Sequence, residues 1–444
     1  MSRPRVGVAI PSWNGREHLR VCLEALRHQE DAGATWGTWV FDNGSRDGTR
    51  EWLESEHPEV HCLRSEVNVG FARALDELVE AMEGVEAVVF LNNDTRPRPD
   101  WLASLVRALD RAPADVAAVA GRIVDWEGER LDFGRGLMTF DGHALQLDFR
   151  RPLEGARMPE EGEEVFFACG GNALVRRDVF RAVGGFDESF FAYYEDVDLG
   201  WRLWSAGHRI LAAPRAVVHH RSGATSDLLG LFHRGFLFER NAFWTAYKNY
   251  DAEHLAAWLP AILWTFLHRT QTLLVQNNPR GELLTLDPYA GWIADTGRAD
   301  RHGGPESEPV TLAAPSKVAA RRGPVARLRE MGVREAVRRL RRRLGLRLAG
   351  LDHATAPVLT DPRTVAQLRA ATSILGGLEP VDAARRRVQA ARQRADAEIF
   401  SRFPVYLVPT YPGDDRLFGD PGFRALLPAT ESWREAELAE ILQL

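Results

Sequence analysis

The chain has 444 residues, 45% of them hydrophobic and 27% charged, a composition that excludes a largely disordered, collagen-like or fibrous protein. Its net charge of −6 hides an asymmetry, because residues 316–350 hold twelve Lys/Arg against two Glu, a local +10 that leaves −16 elsewhere. The three cysteines, Cys22, Cys62 and Cys169, are isolated and odd in number, which points away from a disulfide framework or thiolate zinc site and suits a reducing cytosol.

In chain order, Arg5 to Ile10 reads as a first strand, Glu17 to Arg27 as a helix and Thr38 to Phe41 as a second strand. A helix follows from Asp47, its expected cap, to Ser55, then a strand near Val60 to Leu63, a helix from Phe71 to Met82 and the apolar strand Ala87 to Leu91. Short β-branched runs alternating with helical patterns argue for a parallel sheet covered by helices, so the fold class is α/β. Beyond Pro99 the spacing predicts a helix (Trp101 to Leu109), a strand near Val116 to Ala120, an irregular stretch to Glu164 and a second compact block from Val165 to Ser226. The apolar stretch Leu255 to Leu267 is shorter than the roughly 20 residues a spanning helix needs and contains Pro260, so a buried or interfacial helix is expected. The opening residues carry too short an apolar run for a signal peptide, and no export is expected.

Chemistry-bearing residues fall at predicted strand ends. The first strand ends in Pro11-Ser12-Trp13-Asn14-Gly15 and the second in Asp42-Asn43-Gly44-Ser45, and neighbouring parallel strands open there into the crevice where such sheets bind ligands. Asp42 can accept a hydrogen bond from a base or ribose; alternatively, residues 42–48 only make turns and cap a helix. A third such end, Asn92-Asn93-Asp94, offers hard oxygen ligands suited to Mn2+ or Mg2+ holding a diphosphate. One acid cannot hold an ion tightly, so the diphosphate would complete the shell.

From Val6 to Tyr250 the sequence resembles the family 2 glycosyltransferases, in particular the rhamnosyltransferase-like members with a GT-A fold. The resemblance rests on Pro11-Ser12-Trp13-Asn14, Asp42-Asn43-Gly44-Ser45, Asn68-Val69-Gly70-Phe71-Ala72, Asn92-Asn93-Asp94 in the place of an Asp-x-Asp motif, Cys169-Gly170-Gly171-Asn172 and Glu195-Asp196-Val197-Asp198-Leu199. It implies that Pro11, Trp13, Asn14, Asp42, Asn43, Ser45, Asn68, Gly70, Asn92, Asn93 and Asp94 bind the nucleotide sugar. Gly170, Gly171, Asn172 and Glu195 would lie on the acceptor side. Asp196 would be the catalytic base of an inverting transfer, and Asp94 would share a divalent ion with a histidine of Val217-Val218-His219-His220. His219 is favoured because it follows the valine pair directly, with His220 as the alternative. Asp196 is expected in the first turn of a helix, Glu195 to Ser205, whose positive end favours the ionised carboxylate.

The implied substrates are a dTDP-rhamnose or UDP-sugar donor and a lipid-linked or surface-glycan acceptor. A dinucleotide enzyme would need a Gly-rich loop after the first strand, and Pro11 to Asn14 is not one. A non-catalytic sugar-nucleotide-binding or scaffold protein is the alternative, although the intact Glu195 to Leu199 block argues against decay. The expected domains are a GT-A unit (1–250), a helical extension packed on it (251–294), a Gly/Pro-rich linker (295–315) and a mostly helical C-terminal region (316–444). Within 316–350, Val333, Val337, Leu340, Leu344 and Leu348 recur at helical spacing among arginines. That pattern fits a peripheral helix on an anionic membrane surface at the cytoplasmic face, or a packed helix with a solvated arginine face. No nucleic acid partner is expected, the rest of the chain being acidic.

Overall fold

Alternating apolar runs and amphipathic helices give the order β1 (Arg5–Ser12), α1 (Arg16–Arg27), β2 (Thr35–Asn43), α2 (Thr49–Glu56), β3 (His61–Ser65), α3 (Phe71–Ala81) and β4 (Ala87–Leu91) in the computed structural model. The structure describes residues 5–221, 226–276, 362–411, 413–428 and 433–442. The linker 295–315 and the basic stretch 316–350 therefore lie outside the described residues. After β4 come β5 (Thr95–Pro97), α4 (Trp101–Arg111), β6 (Val116–Asp125), β7 (Leu131–Phe133), β8 (Gly136–Met138), β9 (Ala144–Gln146), β10 (Asn172–Arg176), α5 (Arg177–Ala182), α6 (Glu195–Ser205) and β11 (Arg209–His220).

One sheet organises these elements in the order β3-β2-β1-β4-β10-β6-β11-β5, with β7 alongside β6. Strands β1 to β4 are mutually parallel, β10 runs antiparallel between β4 and β6, and β6 pairs parallel with β11. Every residue of β4 is buried, as expected of a strand covered on both faces. Strand order reverses between β1 and β4, which places a crevice at their carboxyl ends. The stretch to Glu164, expected to be irregular, contains β7, β8 and β9, too short to announce themselves by periodicity. Asp47 is not the helix cap: Gly48 holds that position, and the Asp47 carboxylate accepts from the Arg16 and Thr49 backbone N–H groups instead.

Two long helices follow, α7 (Ser226–Asn249) and α8 (Ala252–Gln276), the latter carrying Pro260 in its interior. The C-terminal elements are α9 (Pro362–Gly376), α10 (Leu378–Ala391), α11 (Asp396–Arg402), β12 (Val405–Leu407) and α12 (Asp414–Gly419). They share the main core: Ile399, Phe400, Val405 and Phe418 pack in the same buried cluster as the sheet residues and Trp201. Among the described residues no helix is long and apolar enough to cross a membrane.

Candidate active site

The three strand-end loops meet as the topology requires. Ser12, the last residue of β1, lies opposite Asp42 in β2, and its hydroxyl accepts from the Asn93 side-chain amide at 2.9 Å. The Asn14 backbone N–H donates to the Ser45 hydroxyl (2.9 Å), and Arg46 N–H donates to the Asn14 side-chain oxygen (2.8 Å). Asp42 is fully buried; its Oδ1 accepts from Ser45 N–H at 2.9 Å, while Oδ2 has no hydrogen-bond partner and lies 3.8 Å from Arg64 Nε. Pro11 is within β1, and Trp13, half-buried, directly follows that strand.

Asn43 ties the next motif to the end of β2. Its Oδ1 accepts from Val69 N–H at 2.7 Å and its Nδ2 donates to the Gly70 carbonyl at 3.1 Å, while Asn68 Oδ1 accepts from Gly70 N–H. Gly70 has φ +92°, and a Cβ there would lie 2.6 Å from the Phe191 carbonyl oxygen, so only glycine fits. The N–H groups of Phe71 (2.6 Å) and Ala72 (3.3 Å) both donate to that carbonyl.

Asp196 lies in the first turn of α6, after Glu195, and is half-buried. Its Oδ2 accepts from Gly170 N–H at 3.1 Å and its Oδ1 from Val197 N–H at 2.8 Å. Gly171, the next residue, lies so close to Asn92 that a Cβ would sit 2.8 Å from the Asn92 amide nitrogen. The acid and the Asn92-Asn93-Asp94 turn are thus joined through two glycines. The expectation that the helix end would favour the ionised acid needs correcting: burial pushes the Asp196 carboxyl up from its ordinary value and outweighs the backbone N–H groups. Burial, and then the charge of Asp196, raise Glu195 well above the usual carboxylate range.

The histidine pair resolves against the expectation. His220 Nε2 lies 3.3 Å from Asp94 Oδ1, and its Nδ1 is 2.8 Å from Asp132 Oδ2. Neighbouring residues of a strand point to opposite faces, so His219 turns away and its Nδ1 meets the Trp126 carbonyl at 3.2 Å. The turn is anchored by Arg221 N–H, which donates to the Asp94 carbonyl at 3.0 Å. A histidine whose far nitrogen is held by a carboxylate while its near nitrogen faces an acid is the usual arrangement of a metal-ligating imidazole. Asp94 and His220, backed by Asp132, therefore fit a divalent ion. Without one, burial lowers the His220 pKa, but hydrogen bonding to Asp132 and Asp94 prevails and raises it to about 10. A second group of possible ligands, Asp251, His254 and Asp396, lies at the start of α8. There the carboxylates accept from the Asp251 and Asp396 backbone N–H groups, Trp201 and Arg392, a structural arrangement.

Asn172 also departs from its expected place on the acceptor side. It is fully buried; its amide donates to the Arg122 and Ala216 carbonyls, and its oxygen accepts from Trp101 Nε1 at 2.8 Å. All its polar capacity stitches β10 to its neighbours. Sequence reasoning missed Asp132, hidden in a three-residue strand, and the α7 residues Arg240 and Asn241. Polar residues at buried positions of a helix were the available signal for the latter pair.

The family model for glycosyl transferase family 2 matches residues 7–184. An N-acetylglucosaminyl-diphospho-decaprenol L-rhamnosyltransferase of Mycobacterium tuberculosis is 31% identical over 232 residues, covering 46% of this chain and 75% of the relative. A glycosyltransferase of Haloferax volcanii, AglE, is 25% identical over 231 residues, covering 51% of this chain and 70% of the relative. A solved mannosyltransferase from Pyrobaculum calidifontis, in complex with GDP-Man and Mn2+, is 18% identical with a TM-score of 0.43, covering 84% of this chain and 88% of that one. The chain belongs to the family 2 glycosyltransferases, rhamnosyltransferase-like, and its fold is α/β. It is a glycosyltransferase that moves a sugar from a nucleotide sugar.

Proposed function

We propose that the enzyme inverts the anomeric centre, depends on a divalent ion, and transfers rhamnose from dTDP-rhamnose, or a sugar from a UDP-sugar, to a hydroxyl of a lipid-linked or surface-glycan acceptor. The observation that carries this reading is Asp196, fixed by Gly170 and Val197 N–H and linked through Gly171 to the Asp94 turn. Burial raises the Asp196 carboxyl, and an aspartate so raised is a stronger proton acceptor, once ionised, than an ordinary one. Asp196 takes the proton of the acceptor hydroxyl as that oxygen attacks the anomeric carbon opposite the nucleotide. The new glycosidic bond forms while the bond to the diphosphate breaks, and the nucleoside diphosphate leaves with the electron pair. Asp42, Asn43, Ser45 and the Gly70 turn hold the nucleotide, with Asp42 Oδ2 as the acceptor for a base or ribose donor.

Asp94 and His220 would hold Mn2+ or Mg2+, which when bound neutralises charge on the departing diphosphate. The M. tuberculosis relative's name specifies a decaprenol-linked acceptor, and it supports a lipid-linked acceptor here. A cytoplasmic, peripheral location fits that acceptor. Exposed Leu263, Trp264 and Leu267 on α8, together with the +10 stretch at 316–350, support contact with an anionic membrane surface.

Asp196→Asn should lower transfer by about 10²–10⁴-fold while nucleoside diphosphate binding, measured by calorimetry, stays near wild type; retained turnover removes Asp196 from the mechanism. Donor choice is read by thermal shift against dTDP-rhamnose, UDP-glucose and GDP-mannose with and without Mn2+, and inversion by NMR of the product anomer.

A further inference from the structure

Asp196 is preceded by a loop of unusual backbone. Phe191, Tyr193 and Tyr194 have φ of +65°, +68° and +70°, a region that bulky side chains rarely enter and that persists only where surroundings impose it. What imposes it comes from α7, some fifty residues along the chain. Asn241 is fully buried, and its side-chain amide donates to three carbonyls of the loop: Phe190 (3.0 Å), Ala192 (2.9 Å) and Tyr193 (2.8 Å). Arg240, also buried, donates through Nη2 to the carbonyls of Ser189 (2.8 Å) and Phe190 (3.0 Å), and through Nε to the Asn241 side-chain oxygen (2.9 Å).

The remaining carbonyls of the loop are committed elsewhere. That of Phe191 accepts from the Phe71 and Ala72 N–H groups of the donor-side turn, and that of Tyr194 accepts from Asp198 N–H inside α6. Every backbone carbonyl from 189 to 194 is therefore held, on one side by α7, on another by the turn at Gly70 and at the end by the helix of Asp196. The guanidinium of Arg240 lies over the Phe236 and Trp244 rings, at 5.0 and 4.4 Å, so the clamp is itself packed in place.

We infer that Arg240 and Asn241 are positioning residues for the transfer reaction, holding loop 189–194 so that Asp196 keeps a fixed placement relative to the donor-side turn at Gly70-Phe71. The inference rests on the reading of Asp196 as the base; both residues are buried and act through the loop. Loss of the Asn241 amide takes its donor from the Ala192 and Tyr193 carbonyls, and the left-handed residues relax toward ordinary backbone. The base then moves while Asp42, Ser45 and Asp94, which sit on other loops, and the Gly70 turn, which keeps its anchor on the Asn43 side chain, do not. The expected signature is a fall in kcat with donor affinity preserved.

The test uses the full chain and the donor that wild-type enzyme turns over among dTDP-rhamnose, UDP-glucose and GDP-mannose with Mn2+. Asn241→Ala removes the amide, and Asn241→Asp keeps its shape while replacing the donating nitrogen with an oxygen. Both should lower kcat by about 10²-fold, the usual penalty for misplacing a reacting group by an ångström, with the Kd for the matching nucleoside diphosphate within about twofold of wild type. Should these variants be insoluble, Arg240→Lys keeps the charge but loses the planar fork, and an intermediate kcat loss at unchanged Kd is expected. Wild-type kcat in a soluble Asn241 or Arg240 variant overturns the inference, as does a parallel loss of kcat and nucleotide affinity, which marks a merely structural role. Asp196→Asn is assayed alongside: if it retains turnover, the base assignment fails whatever the clamp variants do.

Discussion

At the residue scale, the environment of each acid decides what it can do, and Asp196 and Asp132 make opposite cases. Burial raises the Asp196 carboxyl, so its proton is held more tightly folded than unfolded. Activity, which needs the ionised form, should then fall away on acidification at a pH above the roughly 3.9 of an ordinary aspartate, as read from the acidic limb of a kcat–pH profile; a limb near 4 contradicts the burial argument. The sign for stability is the reverse. An acid whose folded pKa is raised costs stability once pH exceeds its unfolded value, so Asp196→Asn should raise the melting temperature at pH 7 while lowering transfer. Asp132, by contrast, acts through His220, presenting Nε2 to Asp94. Asp132→Asn and His220→Ala should weaken Mn2+ binding, the former by about 10–100-fold, whereas His219→Ala should leave it unchanged. Equal effects of the two histidine substitutions in a Mn2+ titration would sink the assignment of His220.

The element scale shows what holds the C-terminal end of α6, the helix that carries Asp196. Helix α6 finishes at Ser205, whose carbonyl accepts from the Gln393 (2.7 Å) and Arg394 (2.9 Å) N–H groups. The Arg394 guanidinium donates to the carbonyls of Trp204, Gly207 and His208 at 2.9 to 3.0 Å, and Trp201 of the same helix donates to Asp396 at 2.9 Å. Removing a charged donor from three part-buried carbonyls costs on the order of 2 kcal/mol, so Arg394→Ala should lower unfolding stability by about that much in urea titration, although it lies outside the matched family region. How much of this the sequence disclosed depends on the range of each signal. The alternation up to β4 and the motifs at strand ends are local and were legible, including Asp196 at the start of its helix. The phase of β11 was not: its pairing with β6 shifts between Ala213 and Val217, and one residue of slip exchanges the faces of His219 and His220. Arg240, Asn241 and Arg394 act across some fifty to nearly two hundred residues, a separation that leaves no periodic trace.

For the whole molecule, the C-terminal elements are fastened to the sheet unit by a buried charge network rather than by apolar packing alone. His143 lies 3.1 Å from Asp141 and 3.1 Å from Glu239 of α7; Arg269 of α8 donates to Asp141 (2.7 Å) and to Asp414 of α12 (2.8 Å), and the Tyr411 hydroxyl donates to Glu239. The network touches the β8–β9 hairpin and also Tyr194, whose hydroxyl accepts weakly from Ala144 N–H, so it borders the loop leading to Asp196. Burial lowers the His143 pKa, yet Asp141 and Glu239 prevail and raise it to about 9, while the two carboxyls are themselves held below their ordinary values. The stability from protonated His143 is fully present below about pH 6.5, its unfolded value, and is lost as pH rises through about 9. The carboxylate share is present above about pH 4–5 and disappears on acidification. The network should thus hold best between about pH 5 and 6.5. Each tenfold gain in proton affinity on folding is worth about 1.4 kcal/mol, so unfolding free energy should decline by up to roughly 3 kcal/mol between about pH 6.5 and 9.5. His143→Gln carries no such proton; it should be less stable than wild type at about pH 6.5 and approach it at about pH 9.5. A variant that tracks the wild-type decline across that window would show that the alkaline loss belongs to other groups and that His143 does not join the two parts of the chain.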